Sequence, residues 1–174
     1  MVKKSLSILF IILFIVSLSY GQENKTFPTT KEEIESQYEA NAKKATINGT
    51  YIPKDLDDAL GRLESLSSEE SLNKFKMADE NGIDRKLHFG LGTWMIVNWY
   101  FYEGSRFEHY LRDMGLLHPD DMADFMIICL HRKLNGEDLN TEELINSYNK
   151  ARKIEMEKKK EKEKAKSNFI NDSK

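Results

Sequence analysis

Trp94-Met95-Ile96-Val97-Asn98-Trp99-Tyr100-Phe101-Tyr102 is the most apolar run beyond the N-terminal leader, and whether it is helix or strand decides the fold. Tryptophan, isoleucine, valine, tyrosine and phenylalanine all suit strands, and periodicity cannot separate a buried helix from a buried strand over so short a run. Context favours helix. No other segment offers a strand of comparable quality, and an unpaired buried strand would leave its amides without acceptors. Asn98 is the polar exception. Its amide costs about 1–3 kcal/mol if left unpaired, so it bonds nearby backbone or faces a ligand. Trp94, Trp99, Tyr100 and Tyr102 read as core, with a small apolar pocket among them as the alternative.

Outward from this run the spacing is helical. After Pro53, Leu56, Ala59, Leu60, Leu63 and Leu66 recur at three- and four-residue steps. Ser67-Ser68-Glu69-Glu70 has capping-box spacing and opens a helix with Leu72 and Phe75 inward, ending near Asn81-Gly82. Gly90-Leu91-Gly92 is too short for a phosphate loop and predicts close backbone packing beside Trp94. Ser105-Arg106-Phe107-Glu108 caps a short helix with Phe107, Tyr110 and Leu111 inward. His118-Pro119-Asp120-Asp121 starts the next, with Met122, Phe125, Met126, Cys129 and Leu130 on its apolar face and Asn135-Gly136 at its end.

At the edges the signals thin. Thr30-Lys31-Glu32-Glu33 caps a first helix whose stripe is only Ile34, Tyr38 and Ala42. Asn48-Gly49 predicts a turn, with a short hairpin as the alternative. Asn140-Thr141-Glu142-Glu143 opens a last helix carrying Leu144, Tyr148 and Ala151, and beyond Ile154 the stripe dissolves into Glu/Lys alternation. The expectation is an all-α, small single-domain bundle of about five to seven helices with a charged C-terminal helix.

Met1 to Gly21 reads as a signal peptide: Lys3 and Lys4, the apolar run Leu6 to Leu18, and small residues before a mature start at Gln22. The run is shorter than the ~20 residues of a spanning helix, and no later stretch is apolar enough to replace it. Cys129 is the single cysteine, so neither a lipid anchor at Gln22 nor an internal disulfide is available. The expected product is exported, periplasmic or extracellular, and not a lipoprotein. Its segments are a leader and first helix over 22–50, a helical domain over 51–138 and a charged helix and tail over 139–174. The net charge of −3 includes Lys3 and Lys4, so the chain beyond Gly21 is more acidic still, which disfavours nucleic acid as partner.

His118, Asp120 and Asp121 could bind a cation or run acid–base chemistry, with His88 as a further base, but a helix cap with dipole-matched acids accounts for the same three residues. His109 and His131 could join His88 as ligands or bases if the fold brings them together, and a hydrogen bond to a nearby backbone carbonyl is the favoured expectation for these histidines, His88 included. Cys129, on an apolar face, reads as an inert buried thiol. No metal-ligand spacing and no cofactor motif is present.

From Ile52 to Gly136 the chain resembles a family of small bacterial domains of unknown function. The likeness rests on Ile52-Pro53-Lys54-Asp55-Leu56-Asp57-Asp58-Ala59-Leu60, His88-Phe89-Gly90-Leu91-Gly92, Asn98-Trp99, Gly104-Ser105, His118-Pro119-Asp120-Asp121-Met122, and Arg132 through Leu134 to Gly136. In that pattern an arginine–asparagine pair precedes the shared Asn-Trp, where this chain has Ile96-Val97. A serine follows Pro-Asp-Asp-Met, where this chain has Ala123. The resemblance implies domain limits and no activity. His88, Asn98, Trp99, His118, Asp120, Asp121 and Arg132 are the candidate functional cluster. The expected role is a non-enzymatic interaction module with a protein or envelope partner, and the alternative is a small metal-dependent or acid–base enzyme built on His118, Asp120, Asp121 and His88.

Overall fold

The computed structural model describes residues 28–172, so the signal-peptide segment 1–21 and most of the leader lie outside the described residues. The chain divides into two units, Met1–Ile34 and Glu35–Lys174. In the described part of the first, the Thr30 hydroxyl accepts from the Glu33 amide at 3.2 Å, and the Glu33 carboxylate accepts from the Thr30 amide at 3.2 Å, the reciprocal capping box that the spacing predicts.

The elements are α1 (Lys31–Asn41), β1 (Thr46–Ile47), β2 (Thr50–Tyr51), α2 (Leu56–Leu66), α3 (Glu69–Lys76), α4 (Ile83–Leu87), a π-helical turn (His88–Gly92), α5 (Thr93–Asn98), α6 (Arg106–Asp113), α7 (Pro119–Asn135) and α8 (Thr141–Asp172). The domain is small and all-helical apart from the hairpin. In that hairpin Thr46 faces Tyr51 and Ile47 faces Thr50, and Asn48 and Gly49 both take positive φ, 49° and 79°. Both central residues of a type I′ turn need that sign, so Asn-Gly selects the hairpin rather than a simple turn.

α7 is the axis of the core. Met122, Ala123, Phe125, Met126, Ile127, Cys129 and Leu130 are all buried, and α2 to α6, the π turn and α8 each pack against it. An α-helix exposed on one face buries a stripe, whereas a helix enclosed by neighbours is apolar nearly all round. Asp55, Ser68 and Ser105 cap α2, α3 and α6 through their side chains, and Gly136 takes φ 72° at the end of α7.

Three local expectations are corrected. The apolar run is helical only through Asn98: Trp99 caps α5 and Tyr100 takes φ 55°, so the chain turns over Trp99–Gly104. α3 stops at Lys76 instead of Asn81, and Gly82 serves as the left-handed residue before α4. On α8, Leu144 and Tyr148 pack against the core as expected, but Ala151 is exposed and Ile145, left out of the expected stripe, is buried.

The compact unit extends on both sides of the 51–138 stretch. Near its start, buried Asn41 donates to the Glu103 carbonyl at 2.8 Å, and the Tyr38 hydroxyl donates to Glu108 at 2.5 Å. Glu108 is fully buried and also accepts from Arg112 Nε at 2.9 Å. Burial and the adjacent carboxylate push the Tyr38 phenol up to about 12. At the other end, Arg152 of α8 pairs with Asp121 of α7.

Candidate functional site

His88 opens the π turn and lies against the first two turns of α7. Its Nδ1 is 2.7 Å from Asp124 Oδ1, and its Nε2 is 3.9 Å from Asp120 Oδ1. Gly92, one turn along, brings the backbone close: a Cβ there would lie 3.7 Å from both Ala123 and Ile127 of α7, and 3.6 Å from His88 Nδ1. The expected close packing of the glycine pair is thus against α7, and it falls to Gly92, since a Cβ on Gly90 would meet nothing within 4 Å. Burial raises the Asp124 carboxyl above the ordinary aspartate range, against the opposing pull of His88, and Asp84 and Asp121 raise it further. An imidazole held at one nitrogen by a carboxylate has its orientation fixed and its other nitrogen available.

Beside this pair is a polar cleft of about 550 Å³, lined in part by Glu80, Asp84, Arg132 and Tyr148. Arg132 donates to Glu80 at 2.8 Å and to the Leu139 carbonyl at 2.7 Å. The same guanidinium holds the Glu80 carboxyl below its ordinary value. The Tyr148 hydroxyl reaches Asp84 over a long 3.4 Å, and burial raises its phenol far above the ordinary tyrosine value.

The structure therefore brings together two members of the candidate cluster, His88 and Asp120. It separates out the others, most of them by giving them partners. Asp121 is committed to Arg152, with Nε at 3.0 Å from Oδ2. Asn98 donates to the Trp94 carbonyl at 2.9 Å within its own helix, which satisfies the amide locally. Trp99 is 1% exposed and stacks edge-on against Phe107. His118 occupies the N-cap position of α7 but makes no capping bond with its side chain, a correction to the cap expected of it, while Asp120 and Asp121 supply the first-turn charge. His109 Nδ1 lies 3.1 Å from the Ser105 carbonyl and His131 Nε2 2.9 Å from the Ala78 carbonyl, as expected, whereas His88 pairs with the Asp124 carboxylate in place of the backbone carbonyl expected for it.

Asp124 is the residue that the sequence left unremarked. Its signal was available as the four-residue step from Asp120, which puts both carboxylates on one face of α7. Among the described residues no group of three or more His, Cys, Asp or Glu is placed to hold a metal ion, and no helix is long and apolar enough to cross a membrane.

Taken with the fold, these partnerships define a small all-helical domain whose polar side chains mostly tie one helix to another. Residues 52–134 are covered by the model of a family described as a domain of unknown function (DUF6794), as the resemblance over Ile52–Gly136 implied. No curated protein and no solved structure matches the chain.

Proposed function

We propose that this chain is an exported, non-enzymatic binding module that docks a partner protein through the outer face of the helix running from His88 to Asn98. One observation carries the proposal. Residues 87–102 contain no Asp, Glu, Lys or Arg in a chain that is 32% charged, yet Phe89 is 89% exposed, Tyr102 66%, Val97 62% and Trp94 38%. Phe89 and Trp94 are five residues apart across the π turn, and Trp94 and Val97 three apart on α5, so they stand about one turn from each other. Aromatic residues free of charged neighbours are the usual anchors of a protein interface, where desolvation costs little and apolar contact is large. The segment Met1–Gly21 supports the exported part of the proposal.

The test is photo-crosslinking in the envelope of the source cell. A photoreactive residue at Phe89 gives one discrete adduct that Val97→Lys abolishes, whereas the same probe at exposed Lys160 gives none. Absence of an adduct at Phe89, or an intact mass that retains Met1–Gly21, refutes the corresponding half of the proposal.

The His88–Asp124 geometry favours a second reading, an acid–base enzyme in which His88 Nε2 works with Asp120. The two separate cleanly: His88→Gln leaves the crosslink intact in a binding module, and abolishes turnover while leaving folding intact in an enzyme.

A further inference from the structure

A groove of about 470 Å³ runs between α3 and α4. Leu72 and Phe75 form one wall, Ile83 and Leu87 the other, and Leu130 of α7 lies within its lining. Sites for small molecules have volumes of about 300–1,000 Å³ and are mainly apolar with a few placed polar groups. α3 buries none of its residues, although Ser68 caps it and its apolar side faces the core. The Phe75 ring in that wall meets His131 of α7 edge-on at 5.5 Å.

Charge at the groove has one sign. No carboxylate lines it, and each wall contributes one lysine, Lys74 from α3 and Lys86 from α4. Lys74 is shared with Glu70 at 2.7 Å, whereas Lys86 forms no ion pair among the described residues. An apolar trough with an unpaired ammonium at its rim is complementary to a molecule with a hydrocarbon tail and a single anionic head. A protein partner fits less well. A helix of eight residues is only about 12 Å long, and a stable protein interface buries about 800 Å² on each side. We propose that this groove binds a single-chain alkyl carboxylate, with the tail against Leu72, Phe75, Leu87 and Leu130 and the carboxylate on Lys86. Leu91 of the π turn lines this groove as well, but the proposal does not depend on the role given to the Phe89–Val97 face.

Titration calorimetry of the purified protein with dodecanoate, held below its micellar concentration, tests the site. One equivalent binds to the wild type, and Lys86→Glu weakens dodecanoate at least tenfold while changing binding of uncharged dodecanol less than threefold. Ser71 is exposed and lines the groove, so Ser71→Trp fills it from outside and abolishes binding with the circular-dichroism spectrum and urea midpoint unchanged. The proposal is overturned by any of four results. These are no saturable dodecanoate binding, binding that survives Ser71→Trp, equal weakening of both ligands by Lys86→Glu, or a dimer that Ser71→Trp dissociates, which would make a second copy the occupant.

Discussion

Gly104 lies in the turn between α5 and α6 with φ 69°, and a Cβ built on it would overlap the Tyr38 ring. Gly104→Ala therefore carries two separable costs. The left-handed conformation is worth about 1–2 kcal/mol against an alanine. Displacing Tyr38 breaks its hydroxyl's bond to the buried Glu108 carboxylate, and a hydrogen bond to a charged group is worth about 1.5–3 kcal/mol. The single variant should lose roughly 2.5–5 kcal/mol. In a Tyr38→Ala background the ring is gone, so adding Gly104→Ala should cost only the backbone part, about 1–2 kcal/mol. Urea unfolding of the four proteins of the cycle measures the difference, a coupling of about 1.5–3 kcal/mol. Costs that add to within about 0.5 kcal/mol would show that the ring does not set the requirement for glycine.

Arg152→Ala should destabilise by about 1.5–3 kcal/mol, because it leaves the nearly buried Asp121 carboxylate without its guanidinium; hydrogen exchange should quicken first in α8. The folded-state pKa of Asp124 lies above its unfolded value, so its favourable contribution is full at pH below the unfolded pKa and fades as pH rises through the folded one. Asp124→Asn should accordingly gain stability relative to wild type between pH 3 and pH 7, read from urea midpoints, and a change of the opposite sign would contradict the burial argument. Burial pushes the Cys129 thiol up to about 12, so iodoacetamide at pH 8 should label it only after urea unfolding. Gly90→Ala should raise stability by about 0.5–1 kcal/mol in thermal unfolding, since the added methyl meets nothing and φ is not positive.

The helical faces were legible because each is written locally. The steps from Leu56 to Leu63 and from Met122 to Leu130, the Ser68 and Ser105 caps and the Gly136 stop all depend on residues within two turns of one another. What stayed hidden depends on distance. His88 and Asp124 are separated by 36 positions, Tyr38 and Glu108 by 70, and Arg152 and Asp121 by 31. Glu108 looked like an ordinary capping-box acid and is instead a buried carboxylate held by a tyrosine and an arginine. Arg152 carried no signal of a partner in the sequence and ties α8 to Asp121 of α7 just before the stripe ends. The end of α5 at Asn98 was equally illegible, because the left-handed Tyr100 is a bulky residue that carries no local signature for such a turn.

The π turn ties the core to the outer face. Ile83, Leu87, Leu91, Met95 and Trp99 recur at a strict four-residue step. In an α-helix of 3.6 residues per turn each such step overshoots by about 40°, so four steps would carry the seam roughly 160° around and set Trp99 opposite Ile83. At Thr93 the amide reaches back to the His88 carbonyl, the i→i+5 bond of a widened turn, which takes up residues without advancing the seam as far. Ile83, Met95 and Trp99 consequently all remain buried. The same widening places His88 against Asp120 and Asp124 while Phe89 points to solvent at 89% exposure. Outward presentation of Phe89 thus follows from the backbone geometry that keeps the core in register. Moving that ring inward would require rewinding the turn, at the expense of the buried seam.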